Sequence, residues 1–170
     1  IDPVSSEATE RNRWRDIVAD VFSDQACDAE TVFASLWQHF AKPENWSVFD
    51  DVGECWHKLR QAGLQIGIAS NFDQRRDLIC QAISPFPTAD VVFTSAGVGY
   101  SKPAGQFFKV IQRQLQRQPH EILLVGDDPR NDFHAALAAG WQAVLVRRDG
   151  EMLAGAIATL RALPPLLSNV

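Results

Sequence analysis

Cysteine, methionine, tyrosine and histidine are scarce in this sequence of 170 residues, which has three, one, one and four of them. Cys27, Cys55 and Cys80 are widely separated and form no CxxC or Cys/His pattern, so neither a disulfide framework nor a zinc site is predicted. Such cysteines fit reduced thiols, and we expect a cytoplasmic protein. No apolar run approaches the ~20 residues that cross a bilayer, so no membrane partner is expected.

A basic stripe is also missing. The formal net charge is −5 and the arginines are scattered along the chain, which argues against nucleic acid as a partner. The 46% hydrophobic and 22% charged residues are ordinary globular usage, and the length suits one domain core. The sequence starts at Ile1 without an initiating methionine, and we expect the chain to begin inside a larger protein.

Short apolar runs alternate with segments of helical periodicity, which predicts an α/β fold with a Rossmann-like, doubly wound parallel sheet. Trp14, Trp37 and Trp46 are interpreted as buried anchors between helices. Strands are expected at 65–70, 90–95, 122–125 and 142–146. Helices are expected at 7–22, 31–40, 51–63, 73–80, 104–116, 133–139 and 151–163, with Pro164 and Pro165 ending the last.

Carboxylates cluster where the third predicted strand ends. Asp127 and Asp132 lie five residues apart in Gly-Asp-Asp-Pro-Arg-Asn-Asp, and open α/β sheets place their sites at such strand ends. Both could offer oxygen to one Mg²⁺ ion. The alternative is an acidic turn in which Asn131 or Asp132 caps the next helix.

Two other strand ends carry polar groups. Ser70 and Asn71 follow the first predicted strand, where a hydroxyl near free amides can hold a phosphate oxygen; otherwise they only cap a helix. Lys102 lies in the loop after the second strand, just before Pro103. It is either a solvated charge or a fixed cation for a phosphoryl group.

In order, spacing and context these segments resemble the second, third and fourth motifs of the haloacid dehalogenase superfamily, whose members are mostly Mg²⁺-dependent phosphatases. The resemblance implies that Ser70 and Asn71 bind the phosphoryl group and that Lys102 stabilises both the nucleophile and the developing charge. It implies Asp127 as a metal ligand, with Asp132 as a second ligand or an anchor behind it and Asp128 as an alternative. The substrate would be a small phosphorylated metabolite.

The resemblance also divides the chain into part of a helical cap at 1–47 and a core at 48–170. The superfamily's first motif, an Asp-x-Asp with the nucleophile, is not found; neither Asp2 nor Asp50 and Asp51 follows a strand. We therefore expect the nucleophile, and the central strand that carries it, upstream of Ile1. Two alternatives stay open: a 2-haloacid dehalogenase, and a non-catalytic relative that binds phosphate or a protein partner. Oligomeric state is not predicted.

Overall fold

The structure, a computed structural model, describes residues 4–149, 153 and 155–167. Helices alternate with short parallel strands, which confirms the α/β, Rossmann-like class expected from the sequence. The strands are β1 (Gly67–Ser70), β2 (Val91–Thr94), β3 (Leu123–Gly126) and β4 (Gln142–Leu145). The helices are α1 (Glu7–Val21), α2 (Ala29–His39), α3 (Asp50–Gln61), α4 (Arg75–Ala82), α5 (Ser95–Val98), α6 (Gly105–Leu115), α7 (Ala135–Ala138) and α8 (Leu163–Leu167).

The strands form two parallel pairs. β1 pairs with β2, with Ser70 opposite Thr94, and β3 pairs with β4, with Gly126 opposite Leu145. Within the described part of the chain, no ladder joins β1 to β3. The two pairs are instead connected at their carboxyl ends by side chains, which is where the candidate site lies.

Helix α6 supplies the centre of the core. Its apolar side is sharply separated from its polar side, and Phe107 and Phe108 are completely buried. Phe108 packs edge-on against Trp141, with ring centroids 5.2 Å apart. Burial of each of these aromatic side chains stabilises the folded state by about 1.5–3 kcal/mol. This packing fixes α6 and therefore the end of the loop that precedes it.

Helices α1 and α2 pack against each other, with Phe33 buried between them. Helix α1 also reaches the core through Glu10, which is 3% exposed and accepts a hydrogen bond from the buried hydroxyl of Ser95 at 2.8 Å. The expectation that Trp46 is a buried anchor is wrong. It packs edge-on against Phe72 but stays 39% exposed, because it lies in the connection that returns from α2 to α3.

The carboxyl-terminal helix predicted at 151–163 is wrong at residue 153 and at residues 155–159, whereas Leu160–Ala162 forms a 3₁₀ turn and Leu163 begins α8. Residues 155–159 are not helical, and Ile157 instead forms a parallel bridge with Val146. Pro164 and Pro165 lie in the first turn of α8, where a missing amide proton costs no hydrogen bond, so they begin a helix rather than end one. Residues 151, 152 and 154 of that prediction lie outside the described residues. Within the described ranges, no helix combines the length and the apolar character that crossing a membrane requires.

A buried carboxylate joins α3 to the segments that follow β4. Asp51 is 3% exposed and accepts hydrogen bonds from the guanidinium of Arg148 at 2.7 and 3.0 Å, from the Thr159 hydroxyl at 2.7 Å and from the Leu160 amide at 2.8 Å. The Arg148 guanidinium is the largest cause of a pKa of Asp51 well below its ordinary value of 3.8. Asp51 is therefore a structural residue, in agreement with its exclusion as nucleophile.

We expect Asp51→Asn to lower the free energy of unfolding at pH 7 by about 3–5 kcal/mol, the cost of breaking a buried ion pair. The depressed pKa means that the stabilisation is complete above about pH 4 and is lost as pH falls through the folded-state pKa. The difference between the wild type and the variant in urea unfolding should therefore shrink toward low pH. Asp50→Asn, a change at the exposed neighbouring position, is the control and should stay within about 0.5 kcal/mol of the wild type. A constant difference from pH 7 to pH 2 would contradict the account.

Candidate phosphoryl-binding site

The ammonium of Lys102 lies between the two strand pairs. In a strand, successive carbonyls point to opposite edges. The Ile66 carbonyl accepts a hydrogen bond from the Asp90 amide and so points toward β2. The Ala69 carbonyl, three residues later, therefore points away from β2. Lys102 Nζ donates to this carbonyl at 3.2 Å and to Asp132 Oδ1 at 2.6 Å. One side chain therefore brings the carboxyl end of β1 to the loop that follows β3.

The backbone of Lys102 is held by Asn71. The Asn71 amide donates through Nδ2 to the Lys102 carbonyl at 2.9 Å and accepts through Oδ1 from the Lys102 amide at 2.8 Å. Both polar ends of the Asn71 side chain are thus engaged. The structure places Asn71 beside Ser70 and Lys102, and its two hydrogen bonds position the lysine backbone. One N–H of Nδ2 has no partner among the described residues, so phosphoryl binding by Asn71 stays a prediction.

Two hydrogen bonds leave one proton of the Lys102 ammonium available, because an ammonium has three. The Lys102 and Asp132 side chains are each only 10% exposed, so the pair is largely removed from water. A buried ion pair of this kind fixes the direction of the remaining N–H bond. A fixed cation in a partly desolvated site attracts an anionic ligand more strongly than a mobile surface lysine does.

Asp132 is approached very closely by the backbone at the end of β3. Its Oδ2 accepts from the Asp128 amide at 3.2 Å, and its carboxylate lies against Gly126. A Cβ atom at position 126 would be 2.3 Å from Asp132 Oδ2 and 2.4 Å from its Cγ. Only glycine leaves room for the carboxylate here, which gives the glycine of the acidic motif a physical role.

We expect Gly126→Ala to displace the Asp132 carboxylate and so to break its ion pair with Lys102. Loss of a buried pair predicts destabilisation by about 3 kcal/mol and a lysine that is no longer fixed. The change in melting temperature, measured by circular dichroism, checks the first effect. Gly53→Ala is the control, since an added Cβ there meets nothing within 4 Å and alanine in the interior of α3 should stabilise by about 0.5–1 kcal/mol. Equal stability of Gly126→Ala and the wild type would contradict the proposed close packing.

Asp127 and Asp128 differ sharply in their surroundings. Asp128 caps the turn that begins at Pro129, accepting from the amides of Arg130 and Asn131 at 2.8 Å each, and the amide of Asn131 is the largest cause of the lowered pKa of its carboxyl. The alternative in which Asn131 or Asp132 caps the next helix is wrong, because Asp128 caps the helical segment Pro129–His134, which continues directly into α7. Asp127 is exposed, and the described residues offer its carboxylate no hydrogen bond.

The described residues alone do not assemble a complete metal site: they contain no group of three or more histidine, cysteine or acidic side chains placed to hold an ion. The donor chemistry nevertheless suits Mg²⁺, because Asp127 offers an exposed carboxylate at a strand end. Asp132 is already committed to Lys102 and to the Asp128 amide, an arrangement that suits an anchor behind the metal better than a direct ligand. Asp127 and Asp132 remain predictions as metal residues.

Ser70 ends β1 and is half-buried, next to Asn71. The described residues make no hydrogen bond to its hydroxyl, whereas the hydroxyl of Thr94, its neighbour across the β1–β2 ladder, caps α5 by accepting from the Gly97 amide at 2.9 Å. A hydroxyl at a strand end with no partner in the protein is available to an incoming oxygen. This observation supports a binding role for Ser70 over a simple capping role.

Three features of the site were not predicted from the sequence: the cap at Asp128, the close packing at Gly126 and the Ala69 carbonyl. The Asp128-Pro129 pair carries the usual signal of a helix start, a capping aspartate followed by proline, and could have identified Asp128 as the cap. Gly126 directly follows the predicted strand 122–125, a position at which a close backbone approach can be suspected but its partner cannot be named. The Ala69 carbonyl left no signal at all, because any residue at position 69 would present it.

A family model of haloacid dehalogenase-like hydrolases matches residues 6–140. The haloacid dehalogenase-like hydrolase domain-containing protein 3 of Homo sapiens is 28% identical over 147 residues, covering 84% of this chain and 59% of the human protein. The chain thus spans less than two thirds of the length of this curated relative. The ribulose-1,5-bisphosphate 5-phosphatase of Halopiger xanaduensis is 29% identical over 119 residues, covering 69% of this chain and 49% of that protein.

Solved structures agree on the fold. The L-2-haloacid dehalogenase of Xanthobacter autotrophicus, with chloropropionic acid covalently bound, superimposes with a TM-score of 0.78 at 17% identity and covers 92% of this chain and 76% of that one. The Bacillus subtilis protein YfnB, solved with bound magnesium, has a TM-score of 0.69 at 16% identity, covering 95% and 82%. At these identities the structures show a shared fold and leave the chemistry to the residues of the site.

Proposed function

Because this chain belongs to the haloacid dehalogenase-like hydrolase family, we propose that it forms the phosphoryl-binding part of a phosphomonoester hydrolase. The observation that carries the proposal is the fixed ammonium of Lys102 between β1 and β3, held by the Ala69 carbonyl and Asp132. The proposed substrate is a small phosphorylated metabolite, and the phosphatase among the relatives supports that class. The cytoplasm remains the predicted location.

The proposed reaction proceeds through a phospho-aspartate. A carboxylate oxygen attacks phosphorus, the bond from phosphorus to the ester oxygen breaks, and the second aspartate of the Asp-x-Asp motif would donate the proton with which the alcohol leaves. The same aspartate would then accept a proton from the water that attacks phosphorus and releases phosphate and the nucleophile carboxylate. Splitting one displacement into two steps is the benefit of a covalent nucleophile. The nucleophile is proposed to lie outside these residues, on a strand between β1 and β3.

Three side chains of this chain have separate proposed roles. Lys102 stabilises the negative charge that develops on the phosphoryl oxygens and orients the nucleophile with the proton that its two fixed hydrogen bonds leave available. Ser70 donates its unpartnered hydroxyl to a phosphoryl oxygen. Asn71 acts through Lys102, since its amide holds the lysine backbone on both sides.

Mg²⁺ is the proposed cofactor, and the magnesium bound in YfnB supports it. When bound, the ion screens the repulsion between an anionic nucleophile and the phosphoryl oxygens. Asp127 would hold it through its exposed carboxylate, and Asp132 would orient that loop from behind. The remaining ligands are proposed to come from the nucleophile strand and the substrate.

A dehalogenase is the second candidate, because an L-2-haloacid dehalogenase shares the fold. Metal-free displacement of a halide needs no acidic pair at the third strand end, so Asp127 and Asp132 favour the phosphatase. A non-catalytic relative that binds phosphate or a protein partner is the third candidate, and it requires that the nucleophile is truly missing.

The experiment that separates these candidates uses the full-length gene product. Release of p-nitrophenol from p-nitrophenyl phosphate and release of chloride from L-2-chloropropionate are measured in parallel with Mg²⁺ and with EDTA. We expect phosphate ester hydrolysis that EDTA abolishes and no chloride release. Chloride release in EDTA would establish the dehalogenase instead, and inactivity on both substrates would favour the non-catalytic binder.

A further inference from the structure

The turn from Asn71 to Asp73, between β1 and α4, is fixed at three points. Asn71 is bound to the backbone of Lys102, as described above. The Phe72 carbonyl accepts from the Ala96 amide at 3.3 Å and lies 3.1 Å from the Ser95 hydroxyl. Asp73 is completely buried and is paired with Arg75. A turn held at three consecutive residues has little freedom to move at one end without moving at the other.

Arg75 joins this turn to helix α2. Its guanidinium donates to Asp73 Oδ1 at 2.8 Å and to Oδ2 at 2.6 Å, a planar two-point pair. The same group lies 3.4 Å from the centroid of the Trp37 ring and donates to the Trp37 carbonyl at 3.3 Å. Arg75 is only 7% exposed, so neither contact is weakened by solvent.

The contacts form a continuous path from α2 to the lysine of the candidate site. It runs from Trp37 to the Arg75 and Asp73 pair, through the turn to Asn71, and from Asn71 to the backbone of Lys102. The described residues contain no direct hydrogen bond or ion pair between Arg75 and Lys102. The hydrogen bonds and ion pairs of the described residues therefore connect Arg75 to the lysine through the turn.

We propose that Arg75 is a positioning residue that sets the place of the Lys102 ammonium according to the packing of α2. A shift of Trp37 moves the guanidinium, the guanidinium moves Asp73, and Asn71 then carries the displacement to the Lys102 loop. The helices that the sequence assigns to a cap thereby control how well the site is formed. The catalytic consequence rests on the proposed function, whereas the structural coupling does not.

The first test is a double-mutant cycle in the full-length protein, with Mg²⁺-dependent hydrolysis of p-nitrophenyl phosphate as the readout. Arg75→Gln and Asn71→Ala should each lower kcat about tenfold to a hundredfold, since small misplacement of a catalytic group has effects of this size. KM should change little. Because both residues act through one turn, their effects should not multiply. The kcat of the double variant should lie within about threefold of the kcat of the less active single variant.

Arg11→Gln is the matched control. Arg11 also lies over Trp37, with its guanidinium 5.1 Å from the ring centroid. Within the described part of the chain, no hydrogen bond or ion pair links Arg11 to the turn. Arg11→Gln should leave kcat unchanged. When it is combined with Asn71→Ala, the double variant should have the kcat of Asn71→Ala alone. If Arg75→Gln and Asn71→Ala also multiply independently, the coupling is overturned.

The second test needs no activity. In protein labelled with ¹³C at the lysine ε carbons, the Lys102 signal, assigned by Lys102→Arg, should shift in Arg75→Gln and stay in place in Arg11→Gln. If Arg75→Gln does not fold, Trp37→Leu removes the stacking partner and should shift the same signal. An unmoved Lys102 signal in a folded variant overturns the proposal. A shifted signal in a protein without phosphatase activity would retain the coupling and reject the proposed function.

Discussion

Replacement of Lys102 by methionine should abolish turnover of a phosphate ester, with a loss of about a hundredfold to a thousandfold or more in kcat. The lysine offers the fixed cation of the site, and methionine has similar length without charge. The same change should destabilise the protein by about 3–5 kcal/mol, because Asp132 is left as a buried, unpaired carboxylate. Steady-state kinetics and urea unfolding measure the two effects separately.

The double variant Lys102→Met, Asp132→Asn distinguishes catalysis from stability. Removing both charges relieves the unpaired carboxylate, so the double variant should recover most of the stability lost in Lys102→Met. Its turnover should stay as low, because the cation remains absent. Activity close to the wild type in either variant would refute the role of Lys102.

The second large effect is expected for Asp127→Asn. The exposed carboxylate has no hydrogen bond from the described residues, so its neutralisation should leave the melting temperature within about 2 °C of the wild type. Loss of a charged metal ligand should nevertheless weaken Mg²⁺ binding and lower turnover by orders of magnitude. Calorimetric Mg²⁺ titration and the Mg²⁺ dependence of kcat check both statements.

Asp128→Ala is the matched control for Asp127→Asn, because the two carboxylates are adjacent and have opposite surroundings. Loss of the cap should destabilise by about 1 kcal/mol while Mg²⁺ binding is retained. A wild-type Mg²⁺ affinity in Asp127→Asn, together with a weakened affinity in Asp128→Ala, would transfer the metal role to Asp128.

The sequence was a good guide to the fold where periodicity was strong. The periodicity of residues 104–116 predicts a helix with Phe107, Phe108, Ile111 and Leu115 inward. The first three are buried, and Leu115 is partly buried. Tertiary contacts decided the rest. Residues 155–159 form no helix, because Ile157 pairs with Val146 instead. Helix α5 has only four residues, and the capping residue Thr94 is the one feature of the sequence that indicates it.

For the candidate site, sequence order predicted which strand ends would meet, and the structure brings Asn71 and Asp132 each into direct contact with Lys102. It did not predict which partners each side chain would choose. Asp132 could have faced a metal or a lysine, and Asn71 a phosphate or a backbone, because these choices depend on distances of a few ångströms. The role of Arg75 could not be predicted, because nothing in the sequence around an arginine distinguishes a buried side chain from an exposed one.

The most direct measurement is hydrolysis of p-nitrophenyl phosphate by the full-length gene product and by this 170-residue chain in parallel, with and without Mg²⁺. We expect Mg²⁺-dependent turnover by the full-length protein and none by this chain alone, since the described residues contain no Asp-x-Asp at a strand end. Turnover by the chain alone would place the nucleophile within it. No turnover by either protein, under conditions where both are folded, would contradict the assignment of this site to phosphate ester hydrolysis.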